Sequence, residues 1–226
     1  MYIFEIAAYH RHYMPYCWFL ICVLVYHAVY PFHLVLDPAG DFKNPGRQLA
    51  TCYERSVTSQ LCEAVKKRIA DEYPHITVTI TRTAGEACTQ KQRAQIANQL
   101  MADLFIHISC FEQAALKPTL TFYFYDDPMQ QMPYVQTPYA LVPVHKAHLV
   151  SETKTGAMVG TLCLQLHKQS LYVVQGPYGI PDARLRGLWV PACTLEFGIS
   201  RTVLWTSLLD PLEHAIVALL KQVIAP

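Results

Sequence analysis

The feature that most constrains the fold is the nearly continuous apolar run of residues 32–36, which ends at Asp37 and Pro38. A strand that is apolar along its whole length is typical of a parallel sheet with both faces covered. The Asp-Pro step and the small residues Ala39 and Gly40 favour a turn directly after this strand. We therefore predict a buried core strand whose carboxyl end opens into a tight turn.

Helix and strand patterns alternate along the rest of the chain. Residues 54–73 carry apolar side chains at helical spacing and stop at Pro74, whereas residues 76–81 alternate in the manner of a strand. This alternation predicts an α/β fold: a single domain with a twisted, mostly parallel β-sheet flanked by helices on both faces. The remaining predicted helices are 90–101, 151–167 and one that begins at Asp210, and the remaining strands are 104–109, 120–125 and 191–197.

An apolar segment occupies residues 17–29, behind the basic residues His10, Arg11 and His12. This order is typical of an export signal or a membrane anchor. We predict that residues 1–31 are a signal peptide or membrane anchor and that residues 32–226 form the folded domain. The expected location is the cell envelope or periplasm, and a buried N-terminal helix is the alternative.

The composition excludes some classes of protein. Lys and Arg number 18 against 17 Asp and Glu, and the basic residues form no stripe, so a nucleic-acid partner is not expected. The cysteines beyond residue 31 lack Cys-x-x-Cys spacing, which argues against a zinc ribbon or a thioredoxin-like site. Buried thiols and disulfides both remain open for them.

Several motifs occur in a fixed order. A strand pattern ends at Arg82 after Val-Thr-Ile-Thr. Arg93 and Asn98 lie in a helix pattern that leads into Ala-Asp-Leu-Phe-Ile at residues 102–106, and Pro-Ala-Cys-Thr-Leu-Glu-Phe-Gly-Ile-Ser occupies residues 191–200. In this order the motifs resemble those of the zinc-dependent N-acetylmuramoyl-L-alanine amidases, which cut the bond between muramic acid and the peptide of bacterial cell walls.

The resemblance implies a zinc ion held by His, Glu and His, with a second Glu as general base. Glu54 falls on the position of the ligand Glu, and Glu196 on that of the catalytic Glu. Gly40 and Ser109 stand where the two histidines belong. Glycine has no side chain and a neutral hydroxyl is a poor zinc ligand, so zinc is expected to be absent or weakly bound and hydrolysis impaired.

Neighbouring residues offer a shifted metal site. His107 lies on the same strand face as Ser109 but is displaced by roughly 6.5–7 Å, and Asp41 follows Gly40 in the turn. An Asp41–Glu54–His107 set is reasonable by ligand type. The alternative is a hydrogen-bonded His107 and an Asp41 that faces water. Glu196, likewise, is either catalytic or a carboxylate paired with an arginine such as Arg186 or Arg201.

Three functional hypotheses follow. The first is an amidase-like domain that binds peptidoglycan or its fragments with hydrolysis impaired. The second is an active peptidoglycan amide hydrolase that uses the shifted metal site. The third is a membrane-anchored interaction domain without a ligand, in which the proline- and aromatic-rich loop at residues 128–149 contacts a protein partner.

Overall fold

The computed structural model describes residues 32–83, 85–115, 117–126, 143–169, 172–199 and 205–224. These residues belong to one compact unit, Phe32–Pro226. The predicted signal peptide or membrane anchor at residues 1–31 lies outside the described residues. Within the described ranges, no helix is both long enough and apolar enough to cross a membrane.

Six strands form one sheet in the order β2-β1-β3-β6-β4-β5, and four α-helices pack against it. The strands are β1 (Phe32–Pro38), β2 (Ile76–Ile80), β3 (Leu104–Glu112), β4 (Thr119–Tyr125), β5 (Val173–Ile180) and β6 (Ala192–Ile199). The helices are α1 (Glu54–Glu72), α2 (Gln90–Gln99), α3 (Glu152–His167) and α4 (Leu209–Ile224).

The sheet is mostly parallel, as predicted. β1 runs parallel to β2 and β3, and β3 runs parallel to β6. β4 is antiparallel to β6, and β5 is parallel to β4. The register places Asp37 opposite His107 and Ser109 opposite Glu196. The carboxyl ends of β1, β3 and β6 therefore meet at one edge, where ligands of open α/β sheets commonly bind.

Helices cover both faces of the sheet, which confirms the predicted architecture. On one face α1, α3 and α4 pack on Leu34, Ile106 and Leu195 in the larger core. On the other face α2 and the segment at residues 183–190 cover Val35 and Phe105. Because neighbouring side chains of a strand point to opposite faces, an apolar run such as residues 32–36 supplies both cores at once.

Two predictions of local structure were incomplete or wrong. β5 was missed because it is an exposed edge strand that contains Gly176, Pro177 and Gly179, residues that break the usual strand pattern but are tolerated at an edge. The predicted loop at 128–149 is wrong in its last part, where Val144–Val150 forms a 3₁₀ helix. Residues 128–142 of that loop lie outside the described residues.

A buried carboxylate joins four elements at the carboxyl edge of the sheet. Asp37 is fully buried. Its oxygens accept a hydrogen bond from the Thr81 hydroxyl at 2.5 Å, pair with the Arg93 guanidinium at 2.9 Å and contact His107 Nδ1 at 2.5 Å. The Arg82 guanidinium lies 3.6 Å away. β1, the end of β2, α2 and β3 are thus held by one side chain.

The charge of Asp37 is maintained by these partners. Burial by itself raises the pKa of a carboxyl group, but the contacts with His107, Arg93 and Thr81 outweigh it and lower the pKa of Asp37 to about 2. The folded protein therefore holds this proton more weakly than the unfolded chain does, whose Asp pKa is about 3.8. The resulting stabilisation is present above pH 3.8 and is lost as the pH falls towards 2.

We expect Asp37→Asn to lower the free energy of unfolding by about 3–5 kcal/mol at pH 7, because it leaves the buried Arg82 and the half-buried Arg93 without their carboxylate. Chemical denaturation of the full chain measures this. The difference from the wild type should narrow between pH 4 and pH 2.5, since the wild-type carboxylate loses its advantage in acid.

The matched control is Asp210→Asn, which removes a carboxylate that pairs with Arg68 at the exposed surface. Its effect should stay within about 0.5 kcal/mol, because exposed ion pairs contribute little. The assigned role of Asp37 would be contradicted if both variants lowered the free energy of unfolding equally. It would also be contradicted if the difference between Asp37→Asn and the wild type did not change with pH.

Candidate functional site

Glu54 lies at the amino end of α1, where the partial positive charge of a helix favours an anion. Its side chain is only 5% exposed. Oε1 accepts a hydrogen bond from the Cys110 amide at 2.8 Å and Oε2 accepts one from the Arg47 amide at 3.0 Å. The Arg47 carbonyl in turn accepts from the Glu54 amide at 2.9 Å. Both carboxylate oxygens of Glu54 therefore accept hydrogen bonds from backbone amides.

The loop before α1 approaches this carboxylate very closely. Gly46 has a φ of +79°, and a Cβ at this position would lie 2.6 Å from Glu54 Oε2. Only glycine combines this backbone conformation with such a contact. The close approach brings the Arg47 amide into hydrogen-bonding distance of Glu54.

The Arg47 side chain continues from this loop to Glu196. Its Nη1 lies 2.7 Å from Glu196 Oε1 and also donates to the Cys110 carbonyl at 3.4 Å. The guanidinium carbon lies 5.8 Å from the centre of the Phe111 ring. Partial burial would lower the pKa of Arg47, but the hydrogen bond and the charges of Glu196 and Glu54 raise it. A positive charge thus sits beside both carboxylates.

Glu196 has a second neighbour on β4. The Tyr123 hydroxyl donates to Glu196 Oε2 over 3.5 Å, and burial together with the Glu196 charge raises the pKa of Tyr123. The partner of Glu196 is therefore Arg47 and not Arg186, which is exposed and does not pair with Glu196 in the described structure. Arg201 lies outside the described residues.

Gly40 and Ser109 occupy closed surroundings. Gly40 has a φ of +73°, and a Cβ there would lie 2.7 Å from the Pro45 carbonyl oxygen and 3.0 Å from the Arg55 Cβ. Ser109 is buried on β3 opposite Glu196, and its hydroxyl has no hydrogen-bond partner in the described part of the chain. The turn after β1 has folded into the space that a larger side chain at position 40 would need.

The three residues of the shifted metal site have separate partners. Asp41 Oδ1 accepts from the amides of Lys43 and Asn44 at 2.8 and 2.7 Å, which makes it the cap of its own turn. His107 is directed to Asp37, and Glu54 is held by backbone amides. Among the described residues, no group of three His, Cys, Asp or Glu side chains is positioned to hold a metal ion.

The other motif residues also have structural partners. Arg82 and Arg93 both surround Asp37. Asn98 donates to the Gly187 carbonyl at 2.9 Å and accepts from the Trp189 amide at 3.1 Å, so it ties α2 to the segment before β6. The structure therefore places these three residues in the scaffold around the site.

Sequence reasoning missed Arg47 and Tyr123. The available signal for Arg47 was its place in Pro-Gly-Arg, a basic residue in the turn between Gly40 and Glu54. Its pairing with Glu196, 149 positions later, depends on the parallel register of β3 and β6. The cysteines from Cys52 to Cys193 in the described ranges are free thiols, which decides the question that spacing left open.

A mostly parallel sheet with helices on both faces and two carboxylates at its carboxyl edge defines the class, an α/β domain with its site at the carboxyl ends of the strands. The sequence profile of the N-acetylmuramoyl-L-alanine amidase family called Amidase_3 matches residues 34–178. The chain belongs to this family. No curated protein matches it by sequence.

Solved structures support the fold. The catalytic domain of CwlV, an N-acetylmuramoyl-L-alanine amidase from Bacillus (Paenibacillus) polymyxa var. colistinus, superposes with a TM-score of 0.62 at 14% identity, over 85% of this chain and 98% of CwlV. The N-acetylmuramyl-L-alanine amidase Ami1 from Mycobacterium smegmatis superposes with a TM-score of 0.62 at 14% identity, over 86% of this chain and 99% of Ami1. The CwlD amidase from Clostridioides difficile, solved with the GerS lipoprotein, superposes with a TM-score of 0.52 at 14% identity, over 83% of this chain and 94% of CwlD.

The closed turn makes a steric prediction. We expect Gly40→Ala to lower the free energy of unfolding by about 1–3 kcal/mol more than Gly85→Ala, because overpacking adds to the backbone strain only at position 40. Gly85 is the matched control: its φ is +94°, but no atom lies within 4 Å of the added Cβ. If chemical denaturation shows the same decrease in the free energy of unfolding for Gly40→Ala and Gly85→Ala, the close packing around Gly40 is contradicted.

Proposed function

We propose that this chain is a peptidoglycan-binding member of the amidase family in which zinc-dependent hydrolysis has been lost. The observation that carries the proposal is the contact between Arg47 and Glu196, together with the backbone amides that engage both oxygens of Glu54. These contacts give both family carboxylates partners from the chain itself.

The residues around Glu54 do not fit a zinc ion. Such a site needs three protein donors and an open position for water. Gly40 and Ser109 supply no suitable donor, and Glu54 is buried against Gly46 and the Arg47 amide.

Arg47 replaces the charge of a metal but not its chemistry. A guanidinium neutralises carboxylates and donates hydrogen bonds, yet it does not generate hydroxide from water as a bound zinc ion does. The described hydrogen bonds of its side chain all use Nη1. Nε and Nη2 therefore remain to donate to a carboxylate or carbonyl oxygen, groups that are abundant in the peptide stems of peptidoglycan.

The test combines zinc content, digestion and binding. We expect the purified full chain, dialysed against micromolar zinc, to hold far less than one zinc per molecule and to release no soluble peptide from purified peptidoglycan. It should nevertheless sediment with that peptidoglycan at low salt. Arg47→Ala should weaken sedimentation, because it removes the free donors beside Glu196.

Lys67→Ala is the matched control, since it removes one positive charge from an exposed position of α1. Stoichiometric zinc that is abolished by Glu54→Ala, together with peptide release, would overturn the loss of hydrolysis and favour the shifted site. Failure of the wild-type chain to sediment would overturn peptidoglycan binding and favour the protein-interaction hypothesis, for which the complex of CwlD with the GerS lipoprotein is a precedent.

We further propose that residues 1–31 direct export to the cell envelope, in agreement with a cell-wall ligand. A fusion of these residues to alkaline phosphatase, which folds to its active form only in an oxidising compartment, should be active in a bacterial host. Replacement of Leu20, Val23 and Val25 by Asp should abolish that activity, because charges interrupt the apolar segment. An inactive wild-type fusion would contradict export.

A further inference from the structure

A groove on the α2 side of the sheet lies apart from the Glu54–Arg47–Glu196 site. It has a volume of about 590 Å³, within the range of pockets that hold small ligands. We call it the α2 groove. Its lining includes Lys91, Gln95, Asn98, Val144, Arg186 and Trp189.

The wall of the α2 groove is held in place by side-chain hydrogen bonds from α2. The Asn98 side-chain nitrogen donates to the Gly187 carbonyl, and its side-chain oxygen accepts from the Trp189 backbone amide. Gln90 Nε2 donates to the carbonyls of Ala183 and Arg186. The segment that presents Arg186 and Trp189 is thus fixed to the helix at two points, which limits the ordering cost of binding a ligand.

Gly187 in the lining of the groove has close neighbours on two elements. Gly187 has a φ of +89°, and a Cβ there would lie 3.3 Å from Val144 and 3.7 Å from Ala94. A larger residue at this position would press against Val144 and strain the backbone. Gly187 therefore packs closely against the 3₁₀ helix and α2, which fixes this part of the groove wall.

The groove carries positive charge and an open aromatic face. Among its described lining residues, Lys91 and Arg186 are the charged ones and none is acidic. Neither cation has an ion-pair partner in the described part of the chain. Trp189 is 51% exposed, and Gln95 is exposed with no described hydrogen bond. The groove offers a ring platform, an amide and two cations.

We infer that the α2 groove binds a peptide-free glycan strand of the cell wall. Hydrolysis of an N-acetylmuramoyl-L-alanine amide adds water and frees one carboxylate on muramic acid and one amine on the peptide. The strand therefore carries pyranose rings, acetamido groups and carboxylates. These match the Trp189 face, the Gln95 amide and the Lys91 and Arg186 cations, respectively. The inference rests on the proposed binding of peptidoglycan and extends it to a second site.

The experiment measures binding of the full chain to glycan strands from which a cell-wall amidase has removed the peptides. We expect Trp189→Ala to weaken binding at least tenfold, and Trp189→Phe to restore much of it because a ring is retained. Lys91→Glu combined with Arg186→Glu should weaken binding more than tenfold at low salt and less at high salt, since exposed charges are screened. Strands whose carboxylates have been converted to neutral amides should bind like the charge-reversed variant.

The matched control is Lys66→Glu combined with Lys67→Glu, which changes the net charge equally on exposed residues of α1, across the sheet. It should leave binding unchanged. Unaltered binding by the Trp189 and charge variants, or an equal loss in the α1 control, would overturn the inference. Binding to intact peptidoglycan but not to peptide-free strands would overturn the groove alone and leave the proposed function standing. Binding to neither would overturn both.

Discussion

The buried carboxylate of Asp37 is the interaction on which the arrangement of this edge depends. It draws Thr81, Arg82, Arg93 and His107 to the carboxyl end of β1. A charge in a protein interior is strongly unfavourable unless it is paired and hydrogen-bonded, so each partner is needed for the others to be buried. Because Asp37 directly precedes Pro38, the same network lies where the turn to Gly40 and Asp41 begins.

Above this network, charge is balanced by the chain itself. Both oxygens of Glu54 accept hydrogen bonds from backbone amides, and Arg47 reaches Glu196 across the edge of the sheet. The turn at residues 40–47 is drawn inwards by Gly46 and by the Arg47 amide. Gly40, Gly46 and Arg47 therefore all belong to one closely packed turn beside Glu54 and Glu196.

Sequence patterns predicted the scaffold well where burial imposes periodicity. α1, β2 and β3 follow from their apolar spacing, since each must present a hydrophobic side to one of the two cores. β5 escaped prediction because an exposed edge strand has no buried face to impose a pattern. For the site, the resemblance predicted that Gly40 and Ser109 stand at ligand positions, and this stays a prediction. It left open whether Asp41 and His107 come near Glu54, because turn closure and hydrogen-bond choice depend on residues distant in the chain.

The sequence by itself thus determined the fold class, the family and the positions at the carboxyl edge, since these depend on local periodicity and on motifs in a fixed order. Only the tertiary structure decided their partners. His107 contacts the buried carboxylate of Asp37 through a hydrogen bond. Asp41 instead accepts hydrogen bonds from backbone amides of its own turn. Pairing of Arg47 with Glu196 and assembly of the α2 groove likewise need the register of the sheet, which brings together side chains that the sequence keeps far apart.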